Sequence, residues 1–316
     1  MATGTDVIRS DTATQVVRSR SLAALTLRNL FRQRNAIIGM ILLLLLVLIA
    51  IFAPVLAPFD PIINFIGEEG VVDRQAPCIH LLGCPVTQTE HIMGLDGNFR
   101  DEFSRLIYGT RISLYIGFTT IGIAVIVGAF IGAVSGYLGG WADNIIMRFM
   151  DVILAFPSFL LAIFIITILG RGLQNALLAI AVVNVPVFAR LVRASVLSLK
   201  EQEFVSATRA LGASHLRLLF VRILPNALPT LIVQATLSIA SAILEAAALS
   251  FLGLGAQEPT PEWGTMLGRE RNQVFTAPHL VFFPGIAIMI TVLSFNLLGD
   301  GLRDAMDPRL GQTSKA

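Results

Sequence analysis

The stretch Lys200–Pro225, KEQEFVSATRALGASHLRLLFVRILP, is the longest charged island in the second half of the chain. Because uncharged apolar runs flank it on both sides and it is rich in arginine, it predicts a cytoplasmic loop between two membrane-spanning helices. Within it, Glu203–Leu211 contains no Gly or Pro and predicts a helix, while Gly212 can take the left-handed conformation that ends one. Ser214 is a suitable N-cap for a second short helix, which Pro225 is expected to end.

The composition of the whole chain indicates a membrane protein. Hydrophobic residues make up 55% and charged residues only 14% of the 316 positions, whereas soluble domains carry about 25% charged residues. A helix of about 20 apolar residues crosses a bilayer. The predicted fold class is therefore an all-α polytopic membrane protein with six transmembrane helices, from apolar runs at 36–58, 112–142, 152–170, 172–189, 228–254 and 280–299.

The distribution of arginine predicts the orientation of these helices. Arg28, Arg32 and Arg34 directly precede the first apolar run, and positive residues accumulate on the cytoplasmic side of membrane proteins. The N-terminus is therefore predicted inside, and six crossings return the C-terminus inside. The predicted segments are a partly disordered cytoplasmic N-terminus without a cleavable signal peptide at 1–35, the first transmembrane helix at 36–58, an extracytoplasmic loop at 59–110, a transmembrane core at 111–306 and a cytoplasmic tail at 307–316.

Prolines and a short turn shape the middle of the chain. The third and fourth apolar runs are separated only by a turn at Arg171, so they are expected to form an antiparallel hairpin. Pro157 and Pro186 lie inside these two runs. Prolines in membrane helices are tolerated as kinks, and such kinks are either static or mark a bending pathway.

Glycines at intervals of four predict close helix packing. Gly128, Gly132 and Gly136 form two overlapping GxxxG patterns in the second apolar run. Small residues at this spacing let two helices approach closely in a membrane. The partner of this glycine face is either another helix of this chain or a second membrane subunit, and the sequence does not choose between them.

Cys78 and Cys84 are the only cysteines, and both lie in the predicted extracytoplasmic loop. Two nearby cysteines in an exported loop favour a disulfide, the alternative being two unpaired thiols. His80 lies between them and His91 follows, but the spacing matches no standard zinc pattern. No metal site is predicted.

Glu245 is the only acid deep within a predicted span. An ionised side chain there costs about 2.5 to 3.5 kcal/mol on insertion scales, so such residues are functional candidates. Glu245 is a candidate for gating or for the translocation path, because it either lines the path or holds a neighbouring helix by hydrogen bonding.

Three segments of the chain resemble one family. The sequence E-F-V-S-A-T-R-A-L-G-A-S at 203–214, followed by I-L-P-N at 223–226, resembles the EAA loop of ABC importer permease subunits of the dipeptide/oligopeptide type. Ser206 and Arg222 stand where the general signature has Glu and Ile, but the peptide-type version has its acid at Glu203. Segments 91–114 and 245–310 are also similar to that family, except that Phe99 replaces a usual Gly.

The resemblance implies a function and a set of partners. Residues 200–225, here named the coupling loop, are implied to dock on a separate ATPase subunit through Glu203, Phe204, Ala207, Arg209, Leu211, Gly212, Ala213, Ser214 and Pro225. The implied partners are a second homologous permease, two ATP-binding subunits, an extracytoplasmic solute-binding protein and membrane lipid, with no nucleic acid. The implied location is the bacterial plasma membrane, and the implied cargo is peptides or similar small solutes.

The sequence contains no Gly-Lys-Ser/Thr and hence no P-loop. ATP and Mg²⁺ are therefore expected on the partner subunits, with no cofactor bound and no catalytic residue here. The alternative from another class is an ion-coupled secondary transporter. Such transporters place several ionisable residues at mid-membrane, whereas Glu245 is nearly alone. A non-transporting membrane scaffold is a further alternative, which the proline-bearing and glycine-patterned runs disfavour.

Overall fold

The computed structural model describes residues 29–68, 70–86 and 88–306. The predicted terminal segments fall largely outside these residues, since 1–28 of the N-terminal segment and the whole tail 307–316 are not described. Within the described residues the regular secondary structure is helical, apart from two isolated β-bridges. The fold is all-α, as predicted.

Between residues 34 and 200 the structure contains five helices. Helix α1 (Arg34–Leu56) is followed by a long segment whose described residues are non-helical apart from a short 3₁₀ turn (His80–Leu82). The next four helices are α2 (Glu102–Leu138), α3 (Gly140–Leu154), α4 (Ser158–Leu169) and α5 (Leu173–Lys200). Helix α2 begins ten residues before the apolar run that predicted it, because Asp101 caps its N-terminus by accepting a hydrogen bond from Ser104 N at 2.7 Å.

The second half contains the coupling loop and two further long helices. Helices α6 (Glu203–Ala210) and α7 (His215–Arg217) lie in the loop, and a π-helical segment (Leu218–Ile223) leads into α8 (Leu224–Phe251). The short α9 (Trp263–Glu270) and the long α10 (His279–Met306) complete the described chain. Among the described residues, five helices are long and apolar enough to cross a membrane, namely α1, α2, α5, α8 with its preceding turns, and α10.

The sixth crossing consists of two separate helices. The prediction of a single kinked helix at 152–170 is therefore wrong. Helices α3 and α4 meet at 90°, so they count as one crossing only as a bent pair. The break lies at Ala155–Pro157, where Pro157 has extended backbone angles and precedes α4. Proline lacks an N–H group and disfavours helical angles in the residue before it. Pro186, by contrast, stays inside the continuous helix α5.

The helices run alternately between two ends of the molecule. One end, named the loop end, contains the coupling loop, the C-terminal ends of α2 and α5, and the contact of Ala36 with Gly301. The segments 57–101 and 252–278 meet at the other end and are named the cap. Arg74 Nε in the first segment, for example, donates to Glu270 Oε2 in the second at 2.7 Å.

The glycine face of α2 packs against α5 of the same chain. A Cβ atom on Gly128 would lie 2.7 Å from the Val185 carbonyl oxygen, and one on Gly136 would lie 3.0 Å from that of Arg193. At Gly132 a Cβ would collide with the Ala189 carbonyl oxygen. The alternative left open by the sequence is thus settled for these three glycines, whose partner is an internal helix.

Candidate functional site

The coupling loop forms the predicted helix and tight turn. Helix α6 covers Glu203–Ala210, and Gly212 follows with φ of +82°. The Gly212 N–H donates to the Arg209 carbonyl at 3.0 Å, so the chain reverses within three residues. Ser214 is the N-cap of the second limb, with its Oγ accepting from Arg217 N at 3.5 Å. The roles predicted for Gly212 and Ser214 in the backbone are therefore confirmed.

The prediction that Pro225 ends the second limb is wrong. The chain continues from His215 to Phe251 as one helical stretch, through a π-helical segment at Leu218–Ile223. Pro225 sits in the first turn of α8, where its missing N–H and fixed φ are tolerated. The wider turn of the π-helix precedes it directly, and such segments are frequent at functional sites. The second limb is therefore a continuous extension of a membrane-spanning helix.

Buried side chains fix the loop to the helices beneath it. Val205 of α6 and Leu218 and Ile223 of the π-helical segment are fully buried in the main hydrophobic core. Fully burying such a side chain contributes about 1.5 to 3 kcal/mol. Both limbs of the loop are thus anchored, and the loop has a definite position on the transmembrane helices.

The opposite surface of the loop is exposed and partly apolar. Leu211 is 88% exposed and Leu216 is 70% exposed, at either side of the turn. The residues predicted to contact an ATPase are all accessible: Glu203, Phe204, Ala207, Arg209, Leu211, Gly212, Ser214 and Pro225 are exposed and Ala213 is half-buried. Leu216 was missed by the sequence analysis, although its position just after the N-cap Ser214 places it beside the turn.

Glu245 lies within α8 and is half-buried. Its carboxylate faces the side chains of Asn184 in α5 and Ser158 at the start of α4. The acid is therefore at the place where the broken pair α3–α4 meets two continuous helices. This placement leaves both roles open, since Glu245 contacts a helix break and is still partly accessible.

Ion pairs join the two segments of the cap. Arg100, which is 4% exposed at its side chain, pairs with Asp96 at 2.7 Å and also with Glu258. Arg105 is buried and lies 3.8 Å from Glu258. Burial by itself opposes ionisation of Glu258, but the hydrogen bond from Arg100 and the charges of Arg105, Arg100 and Arg269 outweigh it and lower its pKa. The predicted extracytoplasmic loop is therefore tied to the segment after α8.

Cys78 and Cys84 form a disulfide in the cap. Cys78 also pairs with His91 through two backbone hydrogen bonds, of 2.8 and 3.0 Å. The His91 ring is fully buried and shares a 2.9 Å hydrogen bond with Asp101, the N-cap residue of α2. Among the described residues, His, Cys, Asp and Glu side chains form no cluster of three that could hold a metal ion.

Phe99 has the backbone conformation that glycine favours. Its φ is +60°, and its N–H donates to the Asp96 carbonyl at 2.9 Å in a tight turn. A side chain in this left-handed region is strained. The chain therefore turns at Phe99 in a conformation that glycine favours, although the residue there is phenylalanine.

Comparison with known proteins identifies the family. The family model described as binding-protein-dependent transport system inner membrane component matches residues 103–312, and that of the N-terminal TM domain of oligopeptide transport permease C matches residues 21–77. Two solved structures of inward facing conformations of the MetNI methionine ABC transporter share the fold. Their TM-scores are 0.52 and 0.53, at 21% identity over 64% of this chain and 97% and 96% of theirs.

Curated relatives cover most of the chain. The dipeptide transport system permease protein DppC of Alkalihalophilus pseudofirmus is 49% identical over 90% of this chain and 88% of its own length. The di/tripeptide permease DppC of Pseudomonas aeruginosa is 47% identical over 88% and 89%, respectively. The glutathione permease GsiD of Pectobacterium atrosepticum is 43% identical over 90% of both chains. With its all-helical architecture, the chain therefore belongs to the binding-protein-dependent transport system inner membrane components, as a multi-pass permease of the bacterial inner membrane.

Proposed function

We propose that this permease is the membrane-spanning subunit of an ATP-driven importer for peptides or similar small solutes. The names of the relatives support this cargo, since they include dipeptide, di/tripeptide and glutathione permeases. Its role is translocation and not catalysis. ATP and Mg²⁺ bind to partner subunits, because this sequence has no P-loop to cradle phosphates.

The assembly we propose has four kinds of subunit. A second homologous permease completes the path, two ATP-binding subunits lie beneath the loop end, and a solute-binding protein delivers cargo at the cap. ATP binding draws the two ATPases together, and the coupling loop passes this movement to the transmembrane helices. The path then opens outward, and hydrolysis resets it, as in alternating access between two states of different affinity.

The observation that carries this proposal is the two-sided construction of the coupling loop. Its inner side is fully buried at Val205 and Leu218, while Leu211 and Leu216 are largely exposed on its outer side. Exposed apolar side chains held on a rigid element are typical of a protein interaction site. The ATPase that covers these side chains would hold the turn at Gly212 in a groove. The turn is accessible, because a Cβ atom built on Gly212 would meet nothing within 4 Å.

Two further roles belong to the proposal. Glu245 acts in gating or lines the path, since it faces Asn184 and Ser158 at the break between α3 and α4. The disulfide between Cys78 and Cys84 stabilises the cap, which receives the binding protein. Selection among peptides, glutathione and other small solutes rests largely with that binding protein.

The docking role of the loop is tested with Leu211→Asp. Burying a leucine contributes about 1.5 to 3 kcal/mol, so placing a carboxylate there is expected to weaken ATPase binding about 10- to 150-fold. The tagged variant is extracted in mild detergent, and the co-purifying ATPase is quantified against wild type. Val86→Asp is the matched control, because Val86 is 85% exposed and lies in the cap. Equal ATPase recovery in wild type and both variants would refute docking through this surface.

The energy source is tested in the same material. Reconstituted with its co-purifying second permease and ATPases and with the binding protein, the permease is expected to import a labelled dipeptide only when ATP is supplied. Gly212→Asp is expected to abolish this import while the protein stays in the membrane. Import that follows a proton gradient and ignores ATP would instead identify an ion-coupled transporter.

A further inference from the structure

Two contacts connect the coupling loop to the end of α2. The Tyr137 hydroxyl and His215 Nδ1 share a hydrogen bond of 2.6 Å, and the two rings meet edge-to-face with centroids 5.8 Å apart. At the start of the loop, where α5 ends, Lys200 Nζ donates to the Gly136 carbonyl at 3.3 Å. The loop thus holds two consecutive residues at the end of one membrane-spanning helix.

The residues after this contact form a joint. Gly139 separates α2 from α3, and Gly139 and Gly140, the first residue of α3, have φ values of +68° and +56°. Glycine adopts such angles without strain. A Cβ atom on Gly140 would meet nothing within 4 Å, and one on Gly139 would only reach Lys200 Nζ at 4.0 Å. The space on the Cβ side of both glycines is therefore open.

Beyond the joint, ion pairs fix α3 to α5. Arg193 donates from Nε and Nη2 to the two carboxylate oxygens of Asp143, both at 2.6 Å. The Ser135 hydroxyl of α2 donates to the same carboxylate. Arg190 and Asp151 form a second pair of 2.5 Å between α5 and α3. The end of α2 is thus linked through Ser135 and Asp143 to α3, and the next helix, α4, begins at Ser158, which Glu245 faces.

We propose that Tyr137 and His215 are positioning residues that link the coupling loop to the joint between α2 and α3. When an ATPase moves the loop, this hydrogen bond carries the movement to the joint, which bends at Gly139 and Gly140. The contact is accessible to solvent, whereas the loop is held in place by its buried apolar side chains. It therefore contributes little to folding, and its role is transmission. This inference rests on the proposed function, since it assumes the ATPase-driven movement of the loop.

The test measures coupling between ATP hydrolysis and transport. Wild type, Tyr137→Phe and Tyr115→Phe are each reconstituted with the co-purifying second permease and ATPases and with the binding protein. Dipeptide uptake and phosphate release are then measured together. Tyr115→Phe is the matched control because it removes the same hydroxyl from an exposed tyrosine of the same helix. Loss of one hydrogen bond in Tyr137→Phe is expected to lower uptake per ATP about two- to tenfold, with ATPase recovery and hydrolysis unchanged.

Two variants at His215 give a second readout. The Asn side chain places a polar group where histidine has Nδ1, so His215→Asn is expected to retain coupling. His215→Leu is expected to lose it to the same extent as Tyr137→Phe, and combining the two losses is expected to add nothing, as in a double-mutant cycle for one contact.

Each outcome separates this inference from the proposed function. If wild type recovers no ATPase, the proposed function fails and this inference fails with it. If wild type imports normally and Tyr137→Phe has the same uptake per ATP, only this inference is refuted. A fall in assembled complex at an unchanged uptake per ATP would also refute it, because the contact would then serve folding.

Discussion

The close packing of α2 on α5 predicts different effects for two identical substitutions on one helix. Gly132→Ala places a methyl group against the Ala189 carbonyl oxygen, which belongs to the backbone and cannot rotate away. Gly122→Ala places the same methyl group where nothing lies within 4 Å. Both glycines are interior residues of α2, so the two substitutions have the same effect on helix propensity.

The size of the effect follows from these two environments. Inserting a methyl group into a packed contact typically costs about 1 to 3 kcal/mol, because the helices must move apart. Replacing glycine by alanine in a helix also contributes up to about 1 kcal/mol of stability. We therefore expect Gly122→Ala to be neutral or slightly stabilising. Gly132→Ala is expected to lie about 1 to 3 kcal/mol below it in unfolding free energy.

The assay is thermal unfolding of the purified permease in one detergent. A difference of this size corresponds to about 2 to 6 °C between the two variants in chains of comparable size. Gly128→Ala extends the series, because its new Cβ would lie 2.7 Å from the Phe188 Cβ. This variant is expected to melt below Gly122→Ala, as Gly132→Ala does. Equal melting temperatures for Gly122→Ala and Gly132→Ala would refute the packing of α2 on α5.

Two further predictions concern the cap. Phe99→Gly is expected to raise the melting temperature, since a side chain in the left-handed region costs about 1 to 2 kcal/mol and glycine recovers part of it. Phe99→Ala keeps the strain and is expected not to do so, and a lower melting temperature for the glycine variant would contradict the reasoning. Because the pKa of Glu258 is lowered in the folded state, its ion pairs stabilise the protein above the ordinary value of 4.5 and cease to do so as the pH falls through the lowered pKa. Glu258→Gln is therefore expected to melt below wild type at pH 7 but not in acid, whereas Glu68→Gln, at an exposed acid, is expected to match wild type at both.

Local sequence signals predicted the coupling loop well because its shape is set by neighbouring residues. Gly212 has the positive φ that its position after a helix requires, and Ser214 caps the next turn. The number of crossings was likewise predictable from apolar length. These features depend on a few adjacent residues and on the thickness of the bilayer, so they need no knowledge of the tertiary contacts.

The prolines show where such signals stop. Pro157 and Pro186 lie within apolar runs and Pro225 lies just before one. Pro157 breaks a helix, Pro186 sits inside a helix, and Pro225 lies in the first turn of α8, within a continuous helical stretch. The difference is tertiary, because α5 packs along its length against α2 while the chain at Pro157 turns by 90°. Two other features could not be predicted from local sequence, namely the helix that packs on the glycine face and the ion pair of Arg100 with Glu258. Both join residues far apart in the sequence.

The two ends of the molecule are built for different tasks. In the cap, Trp263 is 1% exposed and donates to the Leu106 carbonyl at 3.1 Å, while Gly268 brings α9 close to the end of α8. Buried ion pairs and a disulfide add to this rigidity. The loop end instead includes the turn at Gly139 and Gly140 and the solvent-accessible hydrogen bond between Tyr137 and His215, besides the pair of Arg193 with Asp143. A transporter that moves solutes by tilting its helices needs one end that stays rigid and one end that changes conformation. On the proposed function, the cap therefore corresponds to the end that holds its shape and the coupling loop to the end that moves.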